Sequence, residues 1–216
     1  MIKLMLADDH AIMRGGLKDL LSRASDFILI CEACDGTELL EILQQRVNAD
    51  DLPDILLTDL SMPGVGGIDL IERIRKLCPK LPILVLTMFN DALMASRIIK
   101  AGADGYLTKD SSPEQLIAAV RKVAEGGKSI DPKLAEKILF QRATVDEPHN
   151  KLSAREFDVM RLILKGQSVN AIAEYLCISN KTVSTHKTTM LRKMGMTSTP
   201  ELVRYAMAHG LFREDT

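Results

Sequence analysis

Along the first 126 residues, short apolar runs alternate with stretches in which apolar residues recur every three or four positions. Ile2–Ala7, Phe27–Ala33, Ile55–Thr58, Leu81–Thr87 and Gly105–Thr108 are too short for helices and show little polar alternation. That pattern predicts strands buried on both faces of a parallel sheet. Between them lie predicted helices. Met13, Leu17, Leu20, Leu21 and Ala24 share one face; so do Leu39, Leu40, Leu43 and Val47, and then Ile71, Ile74 and Leu77. A fourth helix is expected from about Asp91 to Ala101, stopping at Gly102. The fifth opens on Ser112-Pro113-Glu114-Gln115, an N-cap, a first-turn proline and a capping box, and closes at Gly126-Gly127. Five β-α units with right-handed crossovers make an α/β domain, a doubly wound five-stranded parallel sheet covered on both sides.

The pattern then changes. Leu134, Ile138 and Leu139 fit one helix, but Thr144–Asn150 is polar and contains a proline, so residues 127–150 read as a linker with one helix, flexible near its end. From Leu152 onward everything is helical in character. Ser153-Ala154-Arg155-Glu156 is a capping box ahead of Phe157, Met160, Ile163 and Leu164; Ser168 caps a short helix bearing Val169, Ile172, Ala173 and Leu176. A tight turn, Cys177-Ile178-Ser179, leads into a longer helix from about Asn180 to Met194, and Thr199-Pro200-Glu201 opens a last one that runs to about His209 and stops at Gly210. Short helix, tight turn, longer helix is the helix-turn-helix layout. The chain therefore reads as an α/β domain over 2–126, the linker over 127–150 and a small all-α four-helix domain over 151–213.

Charge sharpens this division. The net charge of −1 over 216 residues hides an acidic front, with 14 Lys+Arg against 19 Asp+Glu in residues 1–126, and a basic back, with 14 against 10 in residues 127–216. Two jobs are implied, the second on a polyanion. Cys31 and Cys34 form a C-x-x-C, but no histidine or second cysteine pair is near and they sit in or at the end of an apolar run, which favours packing over redox or zinc chemistry. Met1–Ala7 is too short for a signal peptide and meets two aspartates, and no apolar stretch approaches a membrane span of about 20 residues. A cytoplasmic protein without a membrane partner is expected.

The chemistry is at the strand ends. Parallel strands bring their carboxyl ends to one edge of the sheet, where open α/β sheets bind ligands. That edge collects Asp8-Asp9, Asp59, Thr87 and Lys109. Three clustered carboxylates repel one another unless a cation sits among them, and oxygen-only ligands favour a hard ion such as Mg²⁺. With the metal offsetting charge, a phosphoryl group can reach Asp59, Lys109 can pair with a phosphate oxygen, and the Thr87 hydroxyl can donate to another. Taken singly, an Asp-Asp pair is often a helix cap and a strand-end aspartate is often merely solvated. Their coincidence at four strand ends outweighs that.

These residues also carry a resemblance. Leu6-Ala7-Asp8-Asp9-His10, Thr58-Asp59-Leu60-Ser61-Met62-Pro63-Gly64, Leu86-Thr87 and Leu107-Thr108-Lys109-Asp110 resemble the receiver domain of bacterial two-component response regulators, over about residues 2–126. The resemblance implies a flavodoxin-like receiver in which Asp59 takes phosphate from a histidine kinase. It also implies that Asp9, Asp59 and the Ser61 main-chain carbonyl ligate Mg²⁺, with Asp8 acting through water. Thr87 and Tyr106 look like the family's switch pair. Many receivers have proline after the lysine; here Asp110 stands there, which leaves the isomer of that bond open.

No acidic residue lies between Glu174 and Glu201, while Lys181, Lys187, Arg192 and Lys193 do. A helix of about 22 Å fits a major groove. Lys181, Thr182, Ser184, Thr185 and Thr188 alternate with apolar residues and so face outward. Leu152–Glu156, Gly166, Ile172-Ala173, Ser179–His186 and Lys193-Met194-Gly195 resemble the LuxR-type output domain of the NarL/FixJ response regulators, over about 148–213. The resemblance implies a phosphorylation-controlled transcription regulator, not an enzyme beyond its own phosphoryl transfer and dephosphorylation, that binds promoter DNA as a homodimer. Base readout falls to Ser184, Thr185 and Thr188, with Lys181 and Lys187 on phosphates. A phosphatase is the competing reading, but its second acid/base aspartate two residues past Asp59 is Ser61 here. A protein-binding module that never touches DNA is the other.

Overall fold

The computed structural model describes residues 1–88, 92–141, 147–176, 178–209 and 211. The chain divides into two compact units, Met1–Gln141 and Arg142–Thr216.

In the first unit, strands β1 (Ile2–Ala7), β2 (Phe27–Ala33), β3 (Ile55–Asp59), β4 (Ile83–Thr87), β5 (Gly105–Thr108) and β6 (Ser129–Ile130) form one parallel sheet in the order β2-β1-β3-β4-β5-β6. Helices α1 (Ala11–Ser22), α2 (Gly36–Asn48), α3 (Gly67–Leu77), α4 (Ala92–Ala101), α5 (Pro113–Ala124) and α6 (Pro132–Gln141) complete it. The expected doubly wound parallel sheet is present, with six strands instead of five. The sixth is two residues long and has no periodicity to read. It exists because β5 still has an open edge: Gly105 pairs with Ser129 and Tyr106 with Ile130. The absent side chain at Gly105 permits the approach, since a Cβ there would lie 3.0 Å from the Ser129 carbonyl oxygen. Helix α6, expected in the linker, packs against α4. The start of the fourth helix at Asp91 and the polar stretch 142–146 fall outside the described residues, as do Cys177, Gly210 and residues 212–216.

Strand residues alternate between the two faces. Leu4, Leu6, Ile55, Leu57, Leu84, Leu86 and Leu107 form one core with Leu17 and Leu21 of α1 and Leu116, Val120 and Val123 of α5. Truncating one such leucine to alanine costs about 2–5 kcal/mol. On the other face α2, α3 and α4 pack in succession. The helices switch faces where the order turns back between β1 and β3. A crevice is expected there, at the carboxyl ends of the strands. Every residue of β3 and β4 is buried, including Thr58, Asp59 and Thr87.

The second unit holds a 3-10 turn (Pro148–Lys151) and helices α7 (Ala154–Leu164), α8 (Val169–Tyr175), α9 (Asn180–Lys193) and α10 (Thr199–Ala208). Both expected capping boxes form: Ser112 caps α5 with Gln115, and Ser153 caps α7 with Glu156. Ser168 and Ser179 cap α8 and α9 through their hydroxyls. Val159, Met160, Ile172, Val183, Met190, Leu202 and Ala206 are its centre.

Candidate functional site

The first site is built on turns that leave β1, β3 and β5. Asp8 and Asp59 are almost wholly buried, at 1% and 3% exposure. Lys109 reaches both: its Nζ donates to Asp8 Oδ2 at 2.7 Å and to Asp59 Oδ2 at 2.8 Å, with 4% of its side chain exposed. Its own N–H donates to the Thr87 carbonyl at 2.8 Å, which fastens the β5 turn to the end of β4. The second oxygen of each carboxylate is held by local backbone. Asp8 Oδ1 accepts the His10 N–H at 2.8 Å; Asp59 Oδ1 accepts the N–H groups of Leu60 at 2.6 Å and Ser61 at 3.1 Å. Asp8 and Asp9 therefore do not cap α1, whose N-cap is His10 with no side-chain bond.

The turn after β3 is shaped from outside. A Cβ at Gly36 would lie 1.6 Å from the Val65 carbonyl oxygen, so only glycine lets the start of α2 press against the loop carrying Ser61. Arg14 of α1 donates to the Asp8 carbonyl at 2.6 Å. Tyr106 is the largest fully buried side chain, and Thr87 is also fully buried. No cis peptide bond occurs among the described residues, so Lys109–Asp110 is trans.

Asp9 differs from its neighbours. Its Oδ1 is buried without a hydrogen bond, 2.9 Å from His10 Nδ1 but outside bonding geometry. Burial pushes the Asp9 carboxyl above its ordinary value; the His10 side chain opposes this, and the charges of Asp59 and Asp8 add to it. Burial also disfavours the charge on Lys109, yet its hydrogen bonds to Asp59 and Asp8 hold it above the usual lysine value. One ligand atom from each of Asp8, Asp9, His10 and Asp59 lies within 4.8 Å of the others. An orphaned buried carboxylate oxygen beside two more carboxylates fits a hard divalent cation.

The raised value has a thermodynamic sign. Ionised Asp9 costs stability at neutral pH, and the cost vanishes as pH falls through its folded value to below the unfolded one. Asp9→Asn is expected to stabilise the protein at pH 7 in EDTA. Thermal melts at pH 7 and pH 3 check this: the gain is present at the first and absent at the second.

Cys31 and Cys34 are not a redox pair. Three residues of extended chain separate their Cα atoms by about 10 Å, beyond the roughly 7 Å a disulfide spans. Cys34 is exposed, and its hydrogen bond with Glu38 holds the thiol above its usual value, away from the reactive thiolate.

The second site is the outer face of α9. Lys181, Thr182, Ser184, Thr185 and Thr188 are exposed, and Lys187 is half-buried. Lys193 faces elsewhere: its Nζ meets Glu156 Oε2 at 2.7 Å, tying the start of α7 to the end of α9. Burial opposes the charge on Glu156, but this bond and the Ser153 N–H hold its carboxyl below the usual value. Arg192 is exposed at the end of the same face and is an addition to the expected set. Asn180 donates to Asn170 Oδ1 at 2.9 Å, fixing α9 on α8. Behind α9 lies a cluster that no sequence pattern signals. His149 is 3% exposed, its Nδ1 is 2.7 Å from the Tyr205 hydroxyl, and Tyr205 stacks on His209 at 4.1 Å.

Comparison with known proteins places both units. Residues 4–121 match the response regulator receiver domain family, and residues 150–206 match the bacterial regulatory proteins of the luxR family. The chain is similar to the oxygen regulatory protein NreC of Staphylococcus epidermidis, 39% identical over 95% of this chain and 97% of that one. NreC of Staphylococcus aureus is 37% identical over the same shares. Among solved structures, RcsB of Salmonella typhimurium aligns with a TM-score of 0.71 and 30% identity, over 96% of this chain and 97% of that one. RcsB from Salmonella enterica serovar Typhimurium bound to promoter rprA with the phosphomimetic BeF3⁻ aligns at 0.66 and 29%, over 94% and 97%. No helix among the described residues is long and apolar enough to cross a membrane. A receiver unit with its acidic edge, followed by a LuxR-type helix-turn-helix unit, makes this chain a member of the NarL/FixJ family of two-component response regulators and a DNA-binding regulator of transcription.

Proposed function

We propose that Asp59 accepts a phosphoryl group from a sensor histidine kinase, and that this controls dimerisation and promoter binding by the second unit. The observation that carries the reading is the Lys109 ammonium bridging Asp8 and Asp59, with Asp9 beside them holding an unsatisfied buried oxygen. Asp59 supplies the nucleophilic carboxylate oxygen. As its bond to phosphorus forms, the bond to the donor histidine breaks and its electron pair leaves with the imidazole. Lys109 is placed to pair with a phosphoryl oxygen, and the Thr87 hydroxyl to donate to another once it turns towards the phosphate. Asp9, Asp59 and the Ser61 carbonyl would hold Mg²⁺, with Asp8 acting through water; when bound, it neutralises the charge shared by carboxylates and phosphate. Dephosphorylation returns the carboxylate, so the receiver catalyses only its own turnover.

Loading Asp59 shifts a two-state receiver, with Thr87 and Tyr106 as the switch pair, towards the form that dimerises. Two output units held together engage two half-sites with a gain from effective concentration. Lys181 and Lys187 contact phosphates; Thr182, Ser184, Thr185 and Thr188 face the groove. A partner on chromosomal DNA places this activity in the cytoplasm.

Labelling with acetyl phosphate in Mg²⁺ is expected to reach one phosphoryl group per chain and to fail in EDTA. Lys181→Glu together with Lys187→Glu is expected to weaken DNA retention and to lower the slope of log affinity against log salt by about 2. Unchanged retention and slope would remove DNA binding from α9.

A further inference from the structure

The hydroxyls on the groove face of α9 are not equivalent. Thr185 Oγ1 donates to the Lys181 carbonyl at 2.9 Å, and Thr188 Oγ1 donates to the Ser184 carbonyl at 2.9 Å. Each is a bond to the carbonyl four residues back, the pattern that fixes a helical threonine in one rotamer. With its single proton spent, such a hydroxyl can only accept. Because the oxygen is drawn against the preceding turn, the γ-methyl is the group left to project from an exposed residue. Ser184 has no methyl and an unbonded hydroxyl. Asn180, the amide best suited to read adenine, has a donor committed to Asn170.

Lys181, Ser184, Thr185 and Thr188 stand at i, i+3, i+4 and i+7 and share one face of the helix. Over these two turns the face offers one cation, one free hydroxyl, two methyls and two acceptor-only oxygens. In the major groove thymine alone presents a methyl, while guanine presents two acceptors that ask for a paired donor. Acceptor-only oxygens repel guanine O6 and N7 and suit the amino group of adenine or cytosine.

We infer that α9 reads A·T pairs by seating the Thr185 and Thr188 methyls against thymine methyls, with the back-bonded oxygens disfavouring a guanine at those two contacts. The inference rests on the DNA-binding reading above and adds what the DNA must contain. It makes Thr185 and Thr188 specificity-determining through their methyls.

The test begins with duplexes selected from random DNA by the full chain in acetyl phosphate and Mg²⁺. The selected half-site is then synthesised with deoxyuridine at each thymine in turn, which removes only the C5 methyl. The wild type is expected to lose about threefold to fivefold in affinity at one or two positions, the scale of one buried methyl. Thr185→Ser or Thr188→Ser keeps the hydroxyl, lowers affinity for the thymine duplex by a similar factor and cancels the thymine-to-uracil difference at its position. Thr185→Val keeps a methyl in that place and retains the difference. Equal binding of thymine and uracil duplexes overturns the inference while leaving DNA binding intact. So does a valine variant that loses the difference while the serine variant keeps it, because the hydroxyl would then be the reader. Failure to enrich any sequence, with retention indifferent to Lys181→Glu and Lys187→Glu, overturns the DNA-binding reading itself.

Discussion

Asp59→Asn is expected to reduce labelling by acetyl phosphate to background while leaving the protein folded. An amide oxygen is too weak a nucleophile to displace a leaving group from phosphorus, so chemistry at this position ends. The geometry survives better. The asparagine oxygen can still accept the N–H groups of Leu60 and Ser61, which Asp59 Oδ1 now accepts at 2.6 and 3.1 Å. What is lost is the bond to Lys109, whose ammonium keeps Asp8 as a partner. The stability change is therefore confined to one charge-assisted bond, about 1–2 kcal/mol. DNA retention in the variant should no longer respond to phosphodonor. Undiminished labelling of a folded variant would move the acceptor elsewhere, with Asp8 and Asp9 next in reach.

Lys109→Ala is expected to show the largest loss of stability of any single change at this edge. It leaves Asp8 and Asp59, both buried, without their shared cation. Removing one partner of a buried pair costs about 3–5 kcal/mol, which for a unit of this size lowers the melting temperature by roughly 10–20 °C. Two controls identify the cause. Mg²⁺ should stabilise the variant more than the wild type, because a bound cation restores the missing charge. The pH dependence has a definite sign as well. Lys109 in the folded protein titrates above its unfolded value, so its contribution is fully present below the unfolded value and fades only as pH rises through the folded one. The gap between wild type and variant should stay open from pH 6 to pH 9. A gap that closes by pH 8 would mean that burial, not the bonds to Asp59 and Asp8, governs Lys109 and that it sheds its proton below its unfolded value.

Much of this site was readable because its logic is local and periodic. An apolar run of strand length ending in an aspartate is visible at Leu6–Asp9 and Leu56–Asp59, and the parallel order follows from helices between strands. The meeting of Lys109 with Asp8, 101 residues apart, needed only that order. Three things escaped. Strand β6 is too short to carry a period and depends on the exposed edge of β5 and on Gly105. The Glu156–Lys193 pair joins helices whose sequences give no sign of each other. His149 stands in a polar stretch that reads as linker, and its burial comes with the packing of Tyr205 and His209 against it. The spent hydroxyls of Thr185 and Thr188 lie between these cases: four-residue spacing permits the back-bond, but only coordinates show that it is made.

The bridge from Lys109 to Asp8 and Asp59 also has an order of assembly. Its members enter in chain order, Asp8 near the start and Lys109 only after β4 and β5 have been laid down. A chain emerging amino end first from the ribosome thus displays its aspartates long before the cation that makes them a site. A chain that ends before Lys109 lacks the bridge. The bridge is complete once β5 is in place, before any helix of the second unit has been made, so the acidic edge can assemble ahead of the half that meets DNA.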